Sequence, residues 1–111
     1  MQPLTPEQLE DSLTDIPDWE VEDGWLKRRF TTPGWSHTMM LVQAIGMVAE
    51  AAWHHPDLRV GYAKVTVLLQ THKVGGITEM DLALAKKIDE ISLWQPAPES
   101  PLDGFPKTWI R

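Results

Sequence analysis

The chain has 111 residues, which is enough for one hydrophobic core and too few for two. Apolar residues make up 42% and charged residues 23%, a balance that excludes general disorder. The net charge of −6 disfavours nucleic-acid binding by bulk electrostatics, and the lack of cysteine excludes disulfides, thiolate metal sites and cysteine nucleophiles.

The beginning of the chain predicts a short helix followed by a β-hairpin. The sequence TPEQ has the form of a helix start, with Thr5 as the N-cap and Gln8 as the side chain that reaches back to it. Apolar and polar residues then alternate over 19–30, and Asp23-Gly24 interrupts the alternation with a strong hairpin signal. We therefore expect two antiparallel strands joined by a tight turn.

A long helix is predicted after Thr32-Pro33, which resembles an N-cap followed by a first-turn proline. Its apolar stripe at helical spacing consists of Trp35, Met39, Leu41, Val42, Ile45, Val48, Ala49 and Ala52. A close approach of the helix to its neighbour would explain Gly46 inside this segment. The sequence His-His-Pro at 54–56 ends the helix because a residue before proline avoids helical angles.

The second half predicts two more strands and a helix. A short strand is expected over 58–60 and a longer one over 63–72, where the alternation has a period of two. Thr78-x-x-Asp81 is a capping-box variant that opens the last long helix. The order α-β-β-α-β-β-α predicts an α+β fold with a four-stranded antiparallel sheet and both long helices packed on one face.

This pattern divides the chain into one domain over 1–93 and a proline-rich tail over 94–111. The tail is expected to be irregular because of its prolines. Its Trp94, Phe105 and Trp109 are predicted to dock onto the domain or onto a partner protein.

Four polar residues stand at the ends of predicted elements, where they can meet at one mouth. His54 and His55 lie at a helix C-terminus, His72 lies at a strand C-terminus, and Asp81 lies in the first turn of the next helix. Imidazoles are suited to proton transfer near neutral pH, and a carboxylate can orient one of them.

Simpler structural explanations exist for each of these residues. A histidine at a helix end often caps carbonyl groups, and Asp81 is explained by capping alone. Glu50 is four residues before His54, so the two can form a surface pair along the helix. Three histidines and an aspartate can also hold zinc, but adjacent His54 and His55 cannot readily aim both rings at one ion. The sequence therefore favours a site without metal.

The combination Glu50-x-x-x-His54-His55-Pro56, with Tyr62, His72 and Asp81 following, resembles the signature of pterin-4a-carbinolamine dehydratases. The resemblance covers about residues 5–93. It implies a four-stranded antiparallel sheet backed by two long helices, in agreement with the order of elements above.

The resemblance also implies a reaction and roles for these residues. A 4a-hydroxytetrahydropterin left by an aromatic amino acid hydroxylase loses water to give the quinonoid dihydropterin, as a step of tetrahydrobiopterin recycling, without a cofactor. The acid–base set would be His54, His55 and His72, and Asp81 would tune one of them. Substrate-binding roles fall to three residues, namely Glu50, Pro56 and Tyr62. The resemblance further implies a homodimer or homotetramer.

A second hypothesis is a non-catalytic relative on the same fold, acting as a protein-binding module or as an assembly chaperone of the RuBisCO assembly factor type. Leu58 stands where many family members have an aromatic residue, and the tail exceeds the minimal domain. The basic run over 27–29 is interpreted as a solvated strand face, so no nucleic-acid partner is expected. No secretory signal and no apolar run of about 20 residues is found, so we expect a cytoplasmic protein that does not bind a membrane.

Overall fold

The computed structural model describes residues 1–105 and 110, and within them three helices and four strands follow in the predicted order. The helices are α1 (Pro6–Leu13), α2 (Trp35–Ala52) and α3 (Glu79–Ser92). The strands are β1 (Glu20–Glu22), β2 (Trp25–Thr31), β3 (Asp57–Gly61) and β4 (Lys64–Leu69). They form one antiparallel sheet in the order β1-β2-β4-β3, which confirms the predicted fold class.

Local sequence signals account for the ends of several elements. The Thr5 hydroxyl accepts from the Gln8 amide, and the Gln8 side chain accepts from the Thr5 amide, so the predicted capping box opens α1. A second capping box, between Thr78 and Asp81, opens α3. Residues 23–24 have φ of 52° and 81°, as the tight turn between β1 and β2 requires.

One face of the sheet and the two long helices share a single hydrophobic core. The strands contribute Leu26, Phe30, Val65, Val67 and Leu69. The helices contribute Leu41, Ile45, Leu82, Leu84, Ala85 and Ile88. This packing fixes the C-terminal end of α2 and the N-terminal end of α3 relative to the end of β4, and the candidate site lies there.

The prediction for α2 was wrong in three details. The helix begins at Trp35 with Gly34 as N-cap, and the Thr32 hydroxyl instead donates to the carbonyl of Gly34 at 3.1 Å. At the two ends of the predicted stripe, Trp35 is 51% exposed and Ala52 is exposed, because both lie outside the buried part of the helix, which runs from Thr38 to Ala49. Gly46 is exposed with no atom within 4 Å of a β-carbon position, so no close approach explains it.

The basic run over 27–29 is not a solvated strand face, because its middle residue points inward. Arg28 is 5% exposed, its guanidinium contacts the carboxylate of Asp89 on α3, and it lies 4.1 Å from the centre of the Phe30 ring. The same carboxylate accepts a hydrogen bond from the Trp19 indole at 2.9 Å. A partly buried carboxylate from a distant helix thus makes the inward position of an arginine tolerable.

The proline-rich segment after α3 makes aromatic and apolar contacts. The rings of Trp94 and Phe105 meet edge to face with their centres 5.2 Å apart, and Ile110 is 8% exposed within the core. Trp109 lies outside the described residues, and the boundary between a domain over 1–93 and a tail stays a prediction. Within the described part of the chain, no helix is both long and apolar enough to cross a membrane.

Candidate active site

The end of α2 has a backbone geometry that separates two adjacent histidines. The Trp53 amide donates to the carbonyl of Glu50 and the His54 amide donates to the carbonyl of Ala49, both at 3.1 Å. Trp53 has φ of 51° and ψ of 45°, which is the left-handed conformation that such a helix end requires. The chain reverses at this point, so His54 meets α3 and His55 meets the end of its own helix.

His54 is bound to a fully buried carboxylate. Its Nε2 lies 2.5 Å from Oδ1 of Asp81, whose exposure is 0%. The other oxygen, Oδ2, accepts from the Thr71 hydroxyl and from the Thr78 amide, each at 2.8 Å. Both carboxylate oxygens are therefore satisfied, as a buried charged group needs to be. Asp81 thus caps α3 and also binds a histidine, and its predicted role in tuning that histidine stays a prediction.

A chain of hydroxyl groups fixes the direction of the hydrogen bonds around this carboxylate. The Thr78 hydroxyl accepts from the Met80 amide at 3.2 Å, and it lies 2.8 Å from the Thr71 hydroxyl. Because Thr71 uses its one hydrogen for Asp81, Thr78 donates to Thr71. The carboxylate can only accept, so Nε2 of His54 carries the hydrogen. The nitrogen of His54 left for exchange with a ligand is then Nδ1.

His55 forms a second, exposed pair. Its Nε2 donates to Oε1 of Glu50 at 2.8 Å, and both side chains are about half exposed or more. Glu50 is thus paired with His55, and not with His54 as helical spacing suggested. The reversal of the chain at Trp53 explains this, because it returns His55 to the last turn of α2.

These residues surround a cavity of about 800 Å³ that opens on the surface. Its walls come from the α2–β3 connection, residues 53–57, and from the segment after β4, residues 70–74, together with Met1 and Met80. Three histidines therefore line one cavity, as the sequence suggested for His54, His55 and His72. The exposed ring of His72 rests edge to face against Trp25, with the ring centres 5.8 Å apart.

The other predicted site residues take different positions around this cavity. Pro56 lies in its wall, Asp81 lies behind His54, and Glu50 lies beside His55. Tyr62 is not among the lining residues; it is 70% exposed at the turn between β3 and β4, where its carbonyl accepts from Thr38 at 2.9 Å. The role predicted for Tyr62 is untested by this geometry and stays a prediction.

Two residues of the site were not singled out from the sequence as functional. Thr71 lies next to His72, and the sequence did contain an indication of its role. A hydroxyl at a strand end can reach the capping carboxylate of the next helix. The sequence also indicated that Trp53 is unusual, because it occupies the position after a helix end where glycine or asparagine is common.

The directions of the histidine ring nitrogens show whether these side chains can share a metal ion. Within residues 1–105 and 110, no group of three or more histidine and acidic side chains is arranged to hold a metal ion. His54 directs Nε2 to Asp81, whereas His55 directs Nε2 to Glu50. The two adjacent rings thus have separate partners and do not share a centre.

The sequence profile of the pterin 4 alpha carbinolamine dehydratase family matches residues 2–91. A relative from Aquifex aeolicus is 46% identical over 88 residues, covering 79% of this chain and 89% of that protein. A relative from Chloroflexus aurantiacus is 39% identical over 88 residues, covering 79% of this chain and 95% of that protein. Both are provisionally named as dehydratases of this kind. The chain belongs to the pterin-4a-carbinolamine dehydratase family.

Solved structures agree with this assignment. A transcriptional coactivator/pterin dehydratase from Brucella melitensis superimposes with a TM-score of 0.78 at 28% identity, covering 82% of this chain and 99% of that one. A pterin dehydratase-like protein identified as a RuBisCO assembly factor in the alpha-carboxysome gives a TM-score of 0.56 at 20% identity, covering 67% and 86%. The second similarity shows the fold alone.

Proposed function

We propose that this chain dehydrates a 4a-hydroxytetrahydropterin to the quinonoid dihydropterin by histidine acid–base catalysis. The observation that carries the proposal is that His54, His55 and His72, from two separate connections, line one cavity, and that a buried carboxylate holds one of them. The cavity of about 800 Å³ is within the range of small-molecule sites and has room for a bicyclic ring.

The reaction needs one proton donor and one proton acceptor. The N5 lone pair forms the C4a=N5 double bond while the C4a–O bond breaks. An acid protonates the departing hydroxyl, which leaves as water, and a base takes the proton from N5. The enzyme gives one proton and receives one. The electron pair of the C4a–O bond leaves with the oxygen, so no electron acceptor is needed and the chemistry is compatible with a reaction without a redox cofactor.

We assign the base to His54 and the acid to His72. When Nδ1 of His54 takes a proton, the ring becomes cationic, and the carboxylate of Asp81 at Nε2 stabilises that cation. His72 belongs to the other segment of the cavity wall and is exposed. It can therefore exchange protons with solvent between turnovers and return to its acidic form.

His55 and Glu50 serve binding in this proposal. Their exposed pair at the cavity leaves acceptor positions on the Glu50 carboxylate for the amino and amide N–H groups along the polar edge of a pterin. Pro56 fixes the direction of the wall after the two histidines. The physiological setting that we propose is tetrahydrobiopterin recycling in the cytoplasm by a homo-oligomer.

The test is a dehydration assay with a 4a-hydroxytetrahydropterin, in which the rate with protein is compared with the rate in buffer. We expect His54→Ala and His72→Ala each to lower kcat by about 10²-fold or more, because general acid–base catalysis contributes at least this much. His37→Ala on α2 is the matched control, since His37 is not among the cavity-lining residues and kcat should not change.

A wild-type rate equal to that of buffer would refute the dehydratase proposal and leave the non-catalytic, partner-binding hypothesis standing. A full rate in both histidine variants would refute the assigned roles while keeping the activity. These two results are distinguishable in the same assay.

A further inference from the structure

Trp53 has a backbone conformation that its residue type disfavours. Among the described residues, only Asp23 and Trp53 combine a side chain with positive φ. Asp23 lies in a hairpin turn, where aspartate tolerates that conformation. A tryptophan with φ of 51° is strained, because its β-carbon crowds the following carbonyl, and glycine or asparagine would end α2 without this strain.

Burial does not offset this strain. The Trp53 side chain is 75% exposed, the highest exposure among the large hydrophobic residues of the described chain. Its ring and the His55 ring meet edge to face, with the ring centres 5.0 Å apart, and Trp53 forms part of the cavity wall. A strained and exposed aromatic residue at a cavity points to a role in ligand binding, since neither packing nor helix termination requires it.

We propose that Trp53 is a specificity-determining residue whose indole packs against one face of the bicyclic ring of the substrate. The inference rests on the proposed dehydratase function and adds a binding contact to it. The imidazoles supply polar groups for the reacting edge, whereas the indole supplies an apolar wall. Such a wall favours two-ring ligands, because the contact area with an aromatic face grows with the size of the ring system.

The position of Trp53 next to the catalytic and binding histidines supports this role. Its ring contacts the ring of His55, and both residues line the same cavity as His54, so a ring packed on the indole lies beside His55 and within the cavity that His54 also lines. Trp53 takes part in no proton transfer. Its loss should therefore weaken binding without slowing the chemical step.

The experiment compares Trp53→Asn and Trp53→Phe with the wild type. We measure KM and kcat for dehydration, the Kd for 7,8-dihydrobiopterin, which lacks the reacting hydroxyl, and the thermal unfolding temperature. We expect Trp53→Asn to raise KM and Kd about fivefold, the effect of one aromatic contact, with kcat within about twofold. Trp53→Phe should restore most of the affinity.

Stability separates this role from a structural one. Asparagine tolerates the left-handed conformation, so we expect the unfolding temperature of Trp53→Asn to be unchanged or raised by a few degrees, about 4 °C at most. Trp35→Asn is the control, because it removes a half-exposed indole at the opposite end of α2, away from the cavity. It should leave KM and Kd unchanged.

The outcomes distinguish this inference from the proposed function. If the wild type neither dehydrates the substrate nor binds the dihydropterin, the proposed function and the role of Trp53 are both refuted. If the wild type is active but Trp53→Asn keeps KM and Kd, only the role of Trp53 falls. A lower unfolding temperature or a changed oligomeric state in Trp53→Asn, with KM kept, would show that the indole serves packing or assembly instead.

Discussion

Asp81→Asn tests the pairing of the buried carboxylate with His54 at nearly constant volume. Oδ2 accepts from the Thr71 hydroxyl and the Thr78 amide, and both are donors in fixed positions. An asparagine will therefore keep its carbonyl oxygen on that side and turn its NH₂ group towards His54. Since that group can only donate, Nε2 of His54 must lose its hydrogen and Nδ1 must carry it.

The variant should lose activity far more than stability. A histidine with its hydrogen on Nδ1 cannot accept the N5 proton there, and it also lacks an anion to stabilise its cation. A wrong tautomer of this kind costs up to about 10⁴-fold in a well-studied histidine–aspartate pair, so we expect kcat to fall by about 10²- to 10⁴-fold. The unfolding free energy should fall by only about 1–2 kcal/mol, because the cap of α3 is kept and only charge assistance is lost.

Three measurements check this reasoning. Dehydration kinetics give kcat, urea unfolding gives the stability, and ¹⁵N NMR of the His54 ring reports which nitrogen carries the hydrogen. Asp81→Ala is the comparison, since it leaves Thr71, Thr78 and His54 without their acceptor and should cost about 3 kcal/mol or more. A kcat within threefold of the wild type, or an unchanged tautomer in Asp81→Asn, would refute the role given to the carboxylate.

Two further predictions concern stability and are checked by urea unfolding. Asp89→Ala leaves the buried guanidinium of Arg28 without its main partner and should lower the free energy of unfolding by about 3 kcal/mol. Glu90→Ala, the control, removes only an exposed pair with Lys87 and should lower it by about 0.5 kcal/mol or less. Equal losses of stability in the two variants would contradict this prediction. Gly24→Ala places a side chain at φ of 81° and should cost about 1 kcal/mol, and an unchanged stability would show that the turn relaxes.

The parts of the fold that depend on neighbouring residues were predictable from the sequence. The capping boxes at Thr5 and Thr78 and the turn at Asp23-Gly24 each depend on side chains within three positions of the backbone groups that they satisfy. Once these fixed the element boundaries, the order of helices and strands left few ways to cover one sheet face. The fold class therefore followed from local signals.

The parts that depend on distant residues were not predictable in the same way. The inward position of Arg28 agrees with strand alternation, but its charge argued for solvent, and only Asp89 on α3 resolves the conflict. Glu50 has its partner one residue further along than helical spacing gives, because Trp53 reverses the chain. The contact between Arg28 and Asp89 and the backbone angle of Trp53 both arise only in the folded state, so local sequence patterns do not predict them.

The buried pair of His54 and Asp81 and the exposed pair of His55 and Glu50 differ in how firmly they are held, and this difference fits their proposed roles in proton transfer and in substrate binding. The oxygens of Asp81 hold His54 and the start of α3 at once, so His54 cannot move without disturbing the helix start. Such a constraint suits a group whose nitrogen must meet a reacting atom within a fraction of an ångström. The exposed pair of Glu50 and His55 has no comparable constraint and can adjust its hydrogen bonds to a ligand. Exchanging the roles of the two adjacent histidines would place the flexible pair at the proton transfer and the rigid pair at binding, which is why we assign the base to His54.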